Sequence, residues 1–81
     1  MTIKALIFCK ISHNSMLDVV NRFNEISEIK KVFSLTGDYD ICAEIEVDKP
    51  EELYNSFAKK IDLIEGILNT NTHVVMKEFI K

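Results

Sequence analysis

The sequence predicts an α+β domain, a four-stranded antiparallel sheet with two helices on one face. Three observations carry this. Strand-like and helix-like runs alternate as strand–helix–strand, then strand–helix–strand again. The second half echoes the first at a spacing of 38 residues, so that Val19 meets Phe57, Phe23 meets Ile61, Ile26 meets Ile64 and Ile29 meets Ile67. The chain of 81 residues, 47% hydrophobic and 28% charged, is sized for one folded domain, residues 1–81, and not for a disordered segment.

Each element has its own signal. "IKALIFCKI" (3–11) is rich in β-branched and aromatic residues and reads as a strand. Ile3, Ala5, Ile7, Cys9 and Ile11 fall on one face of it, and Lys4, Leu6, Phe8 and Lys10 on the other. "SHNS" (12–15) is a loop whose Asn14 or Ser15 can cap a helix. The helix runs over 16–26, with Met16, Val19, Val20, Phe23 and Ile26 as its apolar stripe. A second strand covers 28–36 with less regular alternation. In "ICAEIEV" (41–47), Ile41, Ala43, Ile45 and Val47 alternate with Cys42, Glu44 and Glu46, as in a sheet with one face on the core. A second helix spans 48–64, with Asp48 as a cap candidate, Pro50 at its opening and Leu53, Phe57, Ala58, Ile61 and Ile64 as its apolar stripe. The last strand spans 67–79, with Leu68, Thr70, Thr72, Val74 and Met76 on one side.

Two such halves make a split-βαβ, ferredoxin-like fold with strands one and three in the centre. Leu6 and Phe8 then lie on the sheet face that carries no helix. Left wet, each forgoes about 1.5–3 kcal/mol. A second copy covering this face, in a dimeric α/β-barrel-like assembly, removes that loss. Leu6 and Phe8 are therefore the expected dimer contacts.

The totals exclude several classes. A net charge of −3, with lysine pairs next to acidic residues, argues against direct nucleic-acid binding. Cys9 and Cys42 sit in apolar runs without a C-x-x-C spacing and read as small buried hydrophobes of a reducing compartment. The longest uninterrupted apolar run, Ala5 to Cys9, is far short of the about 20 residues a membrane span needs. The expected location is the cytoplasm. His13 and His73 have no partners at metal-ligand spacing, so neither a metal nor a cofactor is expected.

"TGDYD" (36–40) is the most informative run. Gly37 can take φ > 0 and turn consecutive N–H groups into one concavity, a small anion nest. Asp38 or Asp40 can accept from an ammonium group. Thr70 and Thr72, two apart on a strand, present both hydroxyls on one face. Such a set suits a zwitterion, with micromolar to millimolar affinity from a few charge-assisted bonds. On the residues alone, a plain hairpin turn whose Asp40 bonds its own backbone is the stronger reading. Tyr39 has the character of an interface residue.

"LTGDYDICAEIEV", "PEEL" at a helix start and "EGILNTNTHVVMKE" near the end together resemble the effector-binding (RAM) domain of the Lrp/AsnC family of amino-acid-responsive regulators. The resemblance covers nearly the whole chain and favours a functional turn. It implies dimers joined through their sheets, dimers assembled into rings, commonly octamers, and a free amino acid held where two dimers meet. It points to Thr36, Gly37, Asp38, Tyr39 and Asp40, with Thr70 and Thr72 of a neighbouring chain opposite and Val74 lining the pocket. Members of the family carry a helix-turn-helix domain ahead of this one. Here the first strand follows Met1 almost at once, so the expectation is a stand-alone domain that modulates transcription through partners, full-length Lrp/AsnC regulators among them, and is not an enzyme.

Other functions on the same topology fit less well. An acyl-phosphate hydrolase wants an arginine after strand one, but the only arginine, Arg22, lies mid-helix. A small monooxygenase or haem-degrading enzyme wants a buried polar cluster, and none is legible. An RNA-binding sheet wants stacking aromatics where Cys42, Glu44 and Glu46 stand. The runner-up is an ACT-like amino-acid-binding module, which takes its ligand near the first strand–helix loop, "SHNS" here.

Overall fold

The computed structural model describes residues 2–81; Met1, at the start of the expected 1–81 domain, lies outside the described residues. The elements are β1 (Ile3–Ile11), α1 (Met16–Asn24), β2 (Ile29–Ser34), β3 (Ile41–Val47), α2 (Pro50–Lys59), a 3-10 turn (Ile61–Leu63) and β4 (Ile67–Val74). The sheet order is β2-β3-β1-β4, all neighbours antiparallel, with β3 and β1 central as expected.

The alternation in β1 and β3 decides which face is covered. Ala5, Ile7 and Cys9 from β1 and Ile41, Ala43, Ile45 and Val47 from β3 are buried beneath the helices. Val19 and Phe23 of α1 close over them, with Ile26, Ile61 and Ile64 completing the cluster. Burying a side chain of this size is worth about 1.5–3 kcal/mol. The 38-residue echo holds in space: Ile29 opens β2 and Ile67 opens β4, each after a helical stretch.

Four elements have bounds that differ from those read in the sequence. Helix α1 ends at Asn24 and not at Ile26, although Ile26 is buried. Helix α2 ends at Lys59; Lys60 leaves helical geometry and Ile61–Leu63 form a tighter turn that still delivers Ile61 and Ile64 to the core. Apolar spacing tracks burial, and burial here outlasts the helices. Asp48 is not the cap. Lys49 stands at the N-cap, and Glu52 Oε1 reaches back to accept the N–H groups of Asp48 (3.0 Å) and Lys49 (2.8 Å), the half of a capping box that an N3 glutamate supplies. Ala58 is exposed, outside the stripe assigned to it. Strand β2 is shorter than 28–36, and β4 stops at Val74, so Met76 lies beyond the sheet and fully exposed.

A register irregularity between Lys10 and Ile11 matters for β4. Lys10 pairs with Asn69 and Ile11 with Ile67, which leaves Leu68 as the extra residue of a bulge, 70% exposed. Beyond it, Thr70, Thr72 and Val74 pair with Cys9, Ile7 and Ala5. They therefore share the helix-side face, at the edge of the sheet.

Candidate functional site

The helix-free face is built by register. β1 contributes Lys4, Leu6 and Phe8. β3 places Glu46, Glu44 and Cys42 opposite them, β2 sets Lys31 and Phe33 beside Glu44 and Cys42, and β4 sets His73 and Asn71 beside Leu6 and Phe8. Leu6 and Phe8, the expected dimer contacts, are half-buried, and Phe33 is 50% exposed. Phe8 sits between two aromatic neighbours, with ring centroids 5.7 Å from Tyr39 and 5.7 Å from His73, the latter edge-on. Cys42 is buried although it belongs to this face. Lys4 Nζ lies 3.8 Å from Glu46 Oε1 and 2.9 Å from Glu78 Oε1; the Glu78 hydrogen bond raises the Lys4 pKa and lowers that of Glu78.

The β2–β3 connection, 35–40, divides into a held half and a free half. Asp40 is held at three points. Its N–H donates to Cys9 O (2.9 Å), its carbonyl accepts from Leu35 N–H (2.8 Å) and its Oδ2 accepts from Ile11 N–H (2.9 Å). Tyr39 turns onto the open sheet face, where its ring meets Phe8 and its hydroxyl accepts from Asn71 Nδ2 (3.1 Å). Thr36, Gly37 and Asp38 are exposed. Gly37 has φ +106 with nothing within 4 Å of where a Cβ would stand, so backbone conformation, not crowding, calls for glycine.

Thr70, Thr72 and Val74 are not brought to this turn. Tyr39 lies on the open face, and the three β4 residues lie on the helix side with β1 between β3 and β4. Thr72 borders a mainly apolar groove of 350 Å³ with Pro50, Leu53, Tyr54 and Phe57. Thr70 borders a separate, mainly polar groove with Ile61, Asp62 and Leu68. Two further grooves adjoin the 12–15 loop. One of 430 Å³ is bordered by His13, Asn14 and Asp40. The other, of 560 Å³, is bordered by Ser12, Ser15, Asp18, Arg22 and Glu65.

Asn71, Phe33 and Lys31 escaped the sequence reading. The signal for Asn71 was the alternation in "NTNTH", where the asparagines take the face the threonines leave. Among the described residues no group of three or more His, Cys, Asp or Glu is arranged to hold a metal. No helix of the described residues is long and apolar enough to cross a membrane.

Comparison with known proteins identifies the domain. Residues 4–81 match the family model described as the Lrp/AsnC ligand binding domain. The HTH-type transcriptional regulator FL11 of Pyrococcus furiosus is 35% identical over 75 residues, which is 93% of this chain and 49% of that protein. Homocitrate synthase of Sulfurisphaera tokodaii is 35% identical over 77 residues, 94% of this chain but 16% of the enzyme. The chain thus spans about half the length of the FL11 relatives it matches. Among solved structures, AsnC of E. coli superposes with a TM-score of 0.91 at 20% identity, over 98% of this chain and 54% of that one. TTHA0845 from Thermus thermophilus superposes at 0.89 with 24% identity, over 98% of this chain and 99% of that one. The transcriptional regulator NMB0573 of Neisseria meningitidis, solved as an L-Met complex, gives 0.89 at 17% identity over 98% of this chain and 53% of that one. These likenesses share the four-stranded sheet and two helices found here, and with the match over residues 4–81 they place the chain in the Lrp/AsnC family, as its ligand-binding domain.

Proposed function

We propose that this domain is a non-catalytic amino-acid-sensing and oligomerisation module of the cytoplasm, which binds a small free amino acid between dimers. On this reading it acts on transcription through partners, full-length Lrp/AsnC regulators among them, and does not itself touch DNA. The observation that carries the reading is where its sequence recurs. A similar segment, 35% identical in each case, spans about half of a helix-turn-helix regulator and 16% of a homocitrate synthase. What two proteins of such different activity share is neither DNA contact nor catalysis, and a ligand sensor fits both. The L-Met complex of NMB0573 supports an amino acid as the ligand class.

The geometry supports assigned roles. Asp38 is exposed at the free half of the turn and accepts the ammonium. Gly37 gives the backbone the positive φ that a carboxylate-binding nest uses. Thr70 and Thr72 of a neighbouring chain close the pocket, with Val74 at its wall. Asp40 holds the turn. Dimerisation through Leu6, Phe8 and Phe33 covers the open sheet face. Its lysines (Lys4, Lys31) and glutamates (Glu44, Glu46) suit an isologous contact, in which the same patch meets itself across a twofold axis. Dimers then assemble into a ring, an octamer by family likeness. Cysteine chemistry fits poorly: burial pushes the Cys9 thiol up to about 12, and burial followed by the Glu44 charge raises Cys42.

Native mass spectrometry with and without a mixture of the twenty amino acids tests this. The expected result is an even-numbered assembly carrying one amino acid per site, with the added mass lost in Asp38→Ala. A species indifferent to the mixture contradicts it. The ACT-like reading keeps one observation in its favour, the 560 Å³ groove beside the 12–15 loop that sets Arg22 near Asp18 and Glu65. Amide shifts on ligand addition centred on 12–22, and not on 36–38, would favour it.

A further inference from the structure

We infer that Tyr39 is a latch between the amino-acid turn and the dimer face, not a ligand contact, so that covering the open sheet face fixes the turn and ligand binding tightens the dimer. The inference rests on the sensing role proposed above for what the turn binds. Its structural half stands on contacts within one chain.

Three contacts define the latch. The Tyr39 ring lies against Phe8, the central aromatic of the open face, at 5.7 Å. The Tyr39 hydroxyl accepts from Asn71 Nδ2 at 3.1 Å, reaching across β1 to β4. Directly after it, Asp40 is fastened to Cys9 and Ile11 of β1 through its backbone N–H and carboxylate. Asp40 fixes one end of the turn whether or not the open face is covered, because its bonds run to backbone groups at the end of a central strand. Tyr39 differs. Its hydrogen bond is exposed in the single chain, where water competes for both partners. A second copy laid over Phe8 excludes that water, and the same bond strengthens in the lower dielectric.

Among the described residues, Thr36, Gly37 and Asp38 have no side-chain or backbone anchor comparable to that of Tyr39, and they are exposed. The Leu35 N–H bond to Asp40 O (2.8 Å) closes the two ends of the turn, and between those ends Tyr39 is the side chain that adds to their order. Fixing Tyr39 lowers the entropy that a ligand must remove at Gly37 and Asp38. By linkage, a ligand that orders the turn favours the covered face by the same factor. The side chain pointing away from the turn, onto the sheet, is what separates this role from a ligand contact.

The test uses the wild type with Tyr39→Phe and Asn71→Ala. Tyr39→Phe keeps the ring on Phe8 and removes only the acceptor. Without any amino acid, hydrogen exchange of residues 36–39 is followed as the protein is diluted through its dimer–monomer transition. The expected wild-type result is slower exchange in the dimer, about five-fold for a bond of ordinary strength, with both variants exchanging at one fast rate at every concentration. Equal protection in wild type and Tyr39→Phe overturns the latch. The second arm measures the dimer dissociation constant by sedimentation with and without an amino acid that binds. The expected result is tightening in the wild type, lost in both variants while saturating ligand still binds. Complete loss of binding in Tyr39→Phe makes Tyr39 a ligand contact and also overturns the latch. If no amino acid binds the wild type, the sensing role fails, and the exchange arm still decides the latch.

Discussion

The two faces of the sheet draw on the same strands and reach different ends. On the helix side, Ala5, Ile7, Cys9, Ile41, Ala43 and Ile45 are at most 1% exposed, sealed by Val19, Phe23 and Ile61 of the same chain. On the open side, Leu6 and Phe8 are half-buried and Phe33 is half exposed, among Lys4, Lys31, Glu44 and Glu46. One face is finished by the chain itself. The other carries aromatic contacts and charge pairs, and among the described residues no helix covers it. On the proposed function, stability and assembly are written on alternate residues of the same strands, and substitutions on opposite faces separate them.

The heaviest loss is expected on the finished face. Phe23→Ala should cost about 3–5 kcal/mol of unfolding free energy, measured by denaturant titration, because it empties a site the core cannot refill. A loss below about 1 kcal/mol would mean that the core is not centred on α1. Next come the two glycines. Gly66, with φ +99, would place a Cβ 2.9 Å from Ser15 Cβ, whereas Gly37, with φ +106, meets nothing. Gly37→Ala should cost about 1–2 kcal/mol from backbone conformation alone, and Gly66→Ala clearly more. Equal thermal shifts would show that the packing of β4 on the 12–15 loop contributes little.

The weakest effect is electrostatic and tests whether surface pairs matter to the finished face. Lys60 Nζ reaches Glu28 Oε1 at 2.9 Å and Oε2 at 3.0 Å, tying the end of α2 to the start of β2. This hydrogen bond holds the Glu28 carboxyl below its ordinary value of 4.5. A depressed acid stabilises the fold above its unfolded pKa, and that contribution disappears as pH falls through the lower, folded value. Lys60→Met should therefore lose about 0.5 kcal/mol at pH 7, discounted for partial exposure, and nothing once pH is below the folded-state pKa of Glu28. A pH-independent difference would assign the effect to packing.

The sequence revealed the fold well where one face is buried and alternation is strict. The bounds read for β1 and β3 are those observed, since shifting either strand by one residue would turn Ile7 or Ile45 to water. Helix ends extend too far in the sequence reading because Ile26, Ile61 and Ile64 continue the apolar spacing beyond the α-helices, Ile61 in a 3-10 turn and Ile26 and Ile64 outside helical structure. The turn was legible from Gly37, whose position asks for positive φ. The partition of labour within it was not. Tyr39 and Asn71 meet across β1, in a register set partly by the bulge at Lys10 and Ile11, and no local pattern encodes that meeting. Likewise, the helix-side placement of Thr70 and Thr72 follows from their pairing with Cys9 and Ile7, which periodicity within β4 leaves open.

The sharpest test of the unfinished face is sedimentation of the wild type and of Leu6→Glu and Phe8→Glu across a concentration series. Dimers or multiples of them are expected for the wild type at micromolar concentration. Each variant should be a folded monomer near 9.3 kDa. A wild type that stays monomeric throughout, or variants that assemble as the wild type does, would contradict the claim that the open sheet face is where a second copy binds.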